Sequence, residues 1–94
     1  MKTQKYRVAI LGSGNIGTDL LIKIQRSSNL ECVAFIGRSR VSRGMSKALE
    51  LGVTLSDKSI DYIVDNANKI DLVFDATSAK DHKIHAPILK DLGI

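Results

Sequence analysis

The 94-residue sequence predicts an α/β fold built as a doubly wound parallel sheet, and three observations carry that expectation. Short apolar runs alternate with amphipathic helical stretches, which is the pattern of β-α-β units. The second run (Cys32, Val33, Ala34, Phe35, Ile36) is apolar without alternation, as a strand covered on both faces must be. Between the first run and the first helical stretch, glycines stand at 12, 14 and 17, and this G-x-G-x-x-G spacing makes the sheet Rossmann-type.

The first strand is expected at 7–11 and the first helix at 15–26, with Ile16, Leu20, Leu21 and Ile24 on its inner face and Asp19, Lys23 and Arg26 in water. Ser27, Ser28 and Asn29 stop that helix, the second strand follows at 31–36, and Gly37 opens a loop. A second helix at 42–51 closes on Gly52, and a short third strand covers 53–55. Ser56 or Asp57 then caps a helix over about 59–66 that turns Ile60, Ile63 and Val64 inward. The fourth strand is 72–75. The last stretch is helical but carries Pro87, so its helix either starts near Ala86 or bends there. The sequence reads as one dinucleotide-binding domain, 1–94, about four strands with flanking helices. The remaining strands and a catalytic domain are expected to lie beyond Ile94.

Composition narrows the function. Hydrophobic residues make up 44% and charged residues 26%, and no run approaches the roughly 18 apolar residues of a membrane span. The charged start MKTQKYR lacks an apolar signal region, and one cysteine allows no internal disulfide, so a cytoplasmic protein is expected. The net charge of +4 is scattered except at Arg38, Arg40 and Arg43, and with two Tyr and two Phe there is no stacking platform for bases. Nucleic acid is therefore not an expected partner.

The glycine turn is a phosphate cradle. Gly12 permits the tight turn, Gly14 lets backbone approach a pyrophosphate, Gly17 lets helix and strand pack, and the N–H groups of residues 13–17 offer donors at a helix N-terminus. About 20 residues on, where an acidic residue usually accepts the ribose hydroxyls, this chain has Gly37, Arg38, Ser39 and Arg40. An arginine at 38 can pair with a ribose 2′-phosphate or stack on adenine, so NADP stands beside NAD as the cofactor. Cys32 lies inside an apolar strand and reads as structural. His82 and His85 lack a third ligand and read as partly exposed helix-start residues rather than a metal site; Asp71 reads as a cap or turn residue, and Asp75 as one that orients the loop at the site's edge.

The runs VAILGSGNIGTDLLIKI from Val8, ALELGVTLS from Ala48 and DLVFDATSA from Asp71 together resemble the N-terminal domain of acylating, CoA-dependent acetaldehyde dehydrogenases, over nearly the whole chain. The resemblance implies that Ser13, Gly14, Asn15 and Ile16 form the pyrophosphate loop and that Thr77 and Ser78 lie along the cofactor. It implies oxidation of a short aldehyde to its acyl-CoA with NAD, beside a 4-hydroxy-2-oxovalerate aldolase in aromatic-compound breakdown. The family's chemistry uses a cysteine thiolate that forms a thiohemiacetal and then a thioester. No catalytic residue is expected within 1–94, and this stretch alone is not expected to turn over. Arg38 and Ser39 depart from the acidic residue the family often carries after the second strand. Two other readings stay open, a semialdehyde dehydrogenase or reductase of the same architecture and a non-enzymatic NAD(H)-sensing module. An unpaired fourth strand is expected to favour self-association.

Overall fold

The sheet is organised around β1 (Tyr6–Leu11), whose residues Val8 to Leu11 are all buried. In this computed structural model, which describes residues 5–37 and 43–94, β1 is followed by α1 (Asn15–Arg26), β2 (Leu30–Ile36), α2 (Arg43–Glu50) and β3 (Leu55–Ser56). Then come α3 (Ile60–Asp65), a single 3-10 turn (Ala67–Lys69), β4 (Leu72–Asp75) and α4 (Ala79–Asp91). The strands are parallel in the order β3-β2-β1-β4. The first two crossovers step outward from β1 to β2 to β3, and the third returns to the other side of β1. That reversal opens a crevice at the carboxyl ends of β1 and β4, where open α/β sheets hold their ligands.

Alternation along β1 separates two cores. Val8 and Ile10 pack with Cys32 and Phe35 of β2, Leu21 and Ile24 of α1, Met45 and Ala48 of α2, and Val53. On the opposite face Ala9 and Leu11 join Ala34 and Ile36 of β2, Ile63 of α3, Leu89 of α4, and Ile70, which lies just before β4. Helices thus cover both faces, and each fully buried Phe, Leu or Ile contributes about 1.5–3 kcal/mol. The pairing of β1 with β2 slips by one residue: Val8 faces Cys32 while Ala9 faces Ala34, leaving Val33 as a bulge. Val33 and Ala34 consequently both lie on the second core's side.

Several elements depart from the sequence expectation. Pairing of β3 begins at Leu55, because Val53 is a core plug whose amide N donates to Ala48 O (3.0 Å) at the end of α2. Ser59, not Ser56 or Asp57, precedes α3, and it has a left-handed φ of 54°. Ile16 and Val64 are exposed, since the buried stripe of α1 is Gly17, Leu21 and Ile24 and that of α3 is Ile63. A start near Ala86 for the last helix is overturned: α4 runs from Ala79 through Pro87, which is exposed, with buried His85 and Leu89 holding the helix on either side of it. His85 is accordingly a buried residue and not a partly exposed one.

Asp71 is more than a turn residue. It accepts the Arg7 backbone N (2.7 Å) and pairs bidentately with its guanidinium, Nε to Oδ2 and Nη2 to Oδ1 at 3.1 Å each. These bonds from Arg7 hold the Asp71 carboxyl below its ordinary range and fasten the amino ends of β1 and β4 together.

Candidate functional site

The crevice is made by backbone. Gly12 has φ +108°, a conformation open to glycine, and its amide N donates to Ile36 O (2.7 Å), which turns the chain off β1 and over the end of β2. Across the switch point the Ala76 amide N donates to Leu11 O (2.7 Å), so the loop after β4 lies directly against Gly12. A Cβ on Gly12 would stand 2.8 Å from Ala76 O, and one on Gly17 would stand 1.9 Å from Gly12 O. Both glycines are therefore required by packing. Gly14 is different: a Cβ there meets nothing among the described residues within 4 Å.

Gly14 is the N-cap of α1, and the first intrahelical bond runs from Thr18 N to Gly14 O (2.9 Å). By helix geometry the N–H groups of Asn15, Ile16 and Gly17 come before that bond, at the positive end of α1. The first turn holds no acidic side chain that would compete for those donors. A cavity of about 220 Å³ opens beside this end, lined among others by Gly12, Ser13, Gly14, Gly37, Ser59 and Thr77. On the other side of the glycine turn Ser13, Gly14, Asn15, Thr18 and Gly44 border a second hollow.

The structure therefore brings Gly12, Ser13, Gly14 and Thr77 together on one cleft, with Asn15 on its outer side. Gly17 lies beneath the turn. Ile16 lines neither hollow and is 69% exposed, its N–H standing in the first turn of α1. Ser78 does not line the cleft; it caps α4, its Oγ accepting from Asp81 N (3.2 Å). Arg38 lies outside the described residues. Sequence reasoning did not count Gly37, Gly44 and Ser59 among the site residues. A Cβ on Gly44 would come within 2.3 Å of Ser13 O, so α2 begins hard against the turn, and one on Gly37 would meet Ser13 Oγ at 2.4 Å. Their only signal in the sequence is glycine after a strand and at a helix start.

Behind the cleft wall sits Asp75, the last residue of β4, with a side chain only 4% exposed. Its Oδ1 accepts from the Thr77 amide N (3.1 Å) and from Thr77 Oγ1, and its Oδ2 meets Nδ1 of His82 (3.0 Å) and of His85 (2.9 Å). Burial pushes the carboxyl's pKa up, but the bonds from Thr77, His82 and His85 outweigh it and bring the value down to about 2. Cys32 is remote from the cleft in function: burial raises its thiol to about 11, against the opposing bond to Ala34 O. Among the described residues no group of three or more His, Cys, Asp or Glu is placed to hold a metal ion, and no helix is long and apolar enough to cross a membrane.

Comparison with known proteins gives a consistent answer. A family profile described as semialdehyde dehydrogenase, NAD binding domain, matches residues 7–94. A protein of Spirochaeta aurantia named acetaldehyde dehydrogenase is 70% identical over 94 residues, which is 100% of this chain and 32% of that protein. One of the same name from Pectobacterium atrosepticum is 56% identical over 82 residues, 87% of this chain and 28% of that protein. The chain thus spans about a third of the length of these curated relatives. The crystal structure of an NAD-binding protein from Listeria innocua superposes with a TM-score of 0.77 at 23% identity, covering 96% of this chain and 26% of that one, a likeness of fold.

Proposed function

The chain belongs to the semialdehyde dehydrogenase NAD-binding-domain family, and from that premise we propose that it is the dinucleotide-binding portion of an acylating acetaldehyde dehydrogenase. The observation that carries the reading is the contrast among the glycines. Packing accounts for Gly12 and Gly17, whereas among the described residues nothing comes within 4 Å of a Cβ built at Gly14. Open space in front of N–H groups that have no partner within their own helix suits a pyrophosphate. Ser13, Gly14, Asn15, Ile16 and Gly17 would bind it through backbone, Gly12 would close the turn, and Thr77 would border the nucleotide from β4.

When bound, NAD supplies the electron-pair acceptor that aldehyde oxidation needs. The chain's own part is to orient that cofactor at the carboxyl edge of the sheet. Ser78 acts by holding the first turn of α4. Arg38 would face the adenosine ribose, with NADP as the alternative cofactor if it pairs with a 2′-phosphate. The motif resemblance further supports transfer of the acyl group to CoA, work beside a 4-hydroxy-2-oxovalerate aldolase, and a cytoplasmic setting for the whole protein. Leu72 and Phe74 are 40% and 36% exposed on β4, which supports self-association along that edge.

Titration with NAD, followed by NMR, tests the reading directly. Amide signals of residues 12–17 should shift; an unchanged spectrum at saturating NAD would overturn it.

A further inference from the structure

We propose that Asp75, with His82 and His85 as its donors, is a positioning unit that fixes the Thr77 wall of the dinucleotide cleft to helix α4. One carboxylate joins two parts of the site. Oδ1 holds both donors of Thr77, which lines the cavity, and Oδ2 holds two imidazoles from successive turns of α4. The four donors occupy the acceptor sites that a carboxylate offers, and the side chain is 4% exposed. Because an ionised carboxylate only accepts, both histidines must carry their proton on Nδ1. His85 is itself 8% exposed at the side chain, so this end of the unit is a built contact within the core side of α4, while His82 at 57% is its solvent-facing member.

The consequence is that residues seven and ten positions beyond Asp75 in sequence control where Thr77 sits. Without the carboxylate, the Thr77 amide and hydroxyl lose their partner, and the Ala76–Ser78 loop is held against Gly12 by the Ala76 N to Leu11 O bond and its chain connections. Asp75 touches no ligand in this scheme. It acts through Thr77.

The proposal rests on the dinucleotide reading of the cleft, and Asp75→Ala and Asp75→Asn separate the two. In Asp75→Asn the amide oxygen still accepts from Thr77, and the amide NH2 can donate to both imidazoles once each moves its proton from Nδ1 to Nε2. The expected result is that Asp75→Ala weakens NAD binding about tenfold or more and speeds exchange of the Thr77 amide hydrogen, as loss of a charged acceptor with several donors implies. Asp75→Asn should stay within about threefold of the parent, since the bonds are re-formed in neutral form, and proton–nitrogen NMR should show both histidines switching tautomer. A folded Asp75→Ala chain with parental NAD affinity would overturn the proposal, as would unchanged histidine tautomers in Asp75→Asn. Should Asp75→Ala fail to fold, the tautomer switch and Thr77 exchange in Asp75→Asn decide. If the parent chain binds no NAD, the cofactor reading falls, and the same two signals still show whether Asp75 holds the loop.

Discussion

Replacing Gly17 with alanine should damage the fold, and replacing Gly14 with valine should damage binding at little cost to the fold. A Cβ at Gly17 would lie 1.9 Å from Gly12 O and 2.9 Å from Gly12 C, both backbone atoms that cannot swing aside. To reach even 3.0 Å, α1 must withdraw by about 1.1 Å. That helix carries Leu21 and Ile24 into the core beside Val8, Ile10 and Phe35, and a gap of this size forfeits on the order of half of the dispersion energy across the contact. Overpacking of this kind costs about 3 kcal/mol, at the upper end because the neighbour is backbone. The better helix propensity of alanine offsets about 1 kcal/mol, so packing wins by about 2 kcal/mol. In a domain of this size that lowers Tm by roughly 8–16 °C. The Cβ of a valine at Gly14 meets nothing among the described residues within 4 Å and the residue inherits φ −75° and ψ −165°, so its cost is that of a poorer N-cap, about 0.5–1 kcal/mol or a few degrees. Melting followed by far-UV circular dichroism, with NAD titration of each folded variant, measures both. A Gly17→Ala chain melting within about 3 °C of the parent, or a Gly14→Val chain that binds NAD normally, would refute the reasoning.

Three further outcomes are expected. The Asp75 carboxyl, ordinarily near 3.8 and here about 2, is a group of depressed pKa, so its contribution to stability is complete above about pH 4 and disappears as pH falls toward 2. Denaturant melts of the parent and Asp75→Asn should therefore converge across that window, and a gap that persists unchanged to pH 2 contradicts the assignment. Cys32, raised from 9.0 to about 11, should react with dithiobis(nitrobenzoate) about a hundredfold more slowly in the native chain than after unfolding; rapid native labelling would show the thiol to be open. For the loop after β2, 2′,5′-ADP should bind roughly tenfold more tightly than 5′-AMP if Arg38 pairs with a 2′-phosphate, and the margin should vanish in Arg38→Ala. Equal affinities in the parent would remove NADP as the alternative.

The elements legible in the sequence were those whose signals are local. The expected bounds of α1 and β4 match the structure, because a glycine turn and a serine stop frame one and Asp71 and Ala76 frame the other. The fold class followed from alternation and from the uninterrupted apolar run of β2. What failed to show were features set by tertiary partners. The apolar character of Val53 suggested a strand, yet strand pairing falls on Leu55 and on Ser56, a buried serine whose Oγ accepts from Lys58 N (3.1 Å). His85 looked polar and exposed because helix phase cannot be read before the start of α4 is known; once Ser78 caps that helix, His85 and Leu89 fall inward. In the candidate site, the three glycines of the motif were visible, but Gly37 and Gly44 show their reason only when Ser13 is placed against them. Asp75 was visible as an orienting residue, whereas its two imidazole partners depend on the turn-by-turn geometry of α4.

The bulge at Val33 bears on which changes of length this chain can survive. Strand β2 holds Cys32 toward one core and Ala34 toward the other, with Phe35 and Ile36 continuing that order, and Val33 is the residue without a partner on β1. Losing Val33 would leave each of the others opposite its present neighbour, on its present side. Losing Phe35 instead would draw Ile36 into its place and send its side chain to the wrong layer. Insertions and deletions among relatives should therefore collect at this one point of β2, where the strand carries a spare residue, and be purged a step or two further along.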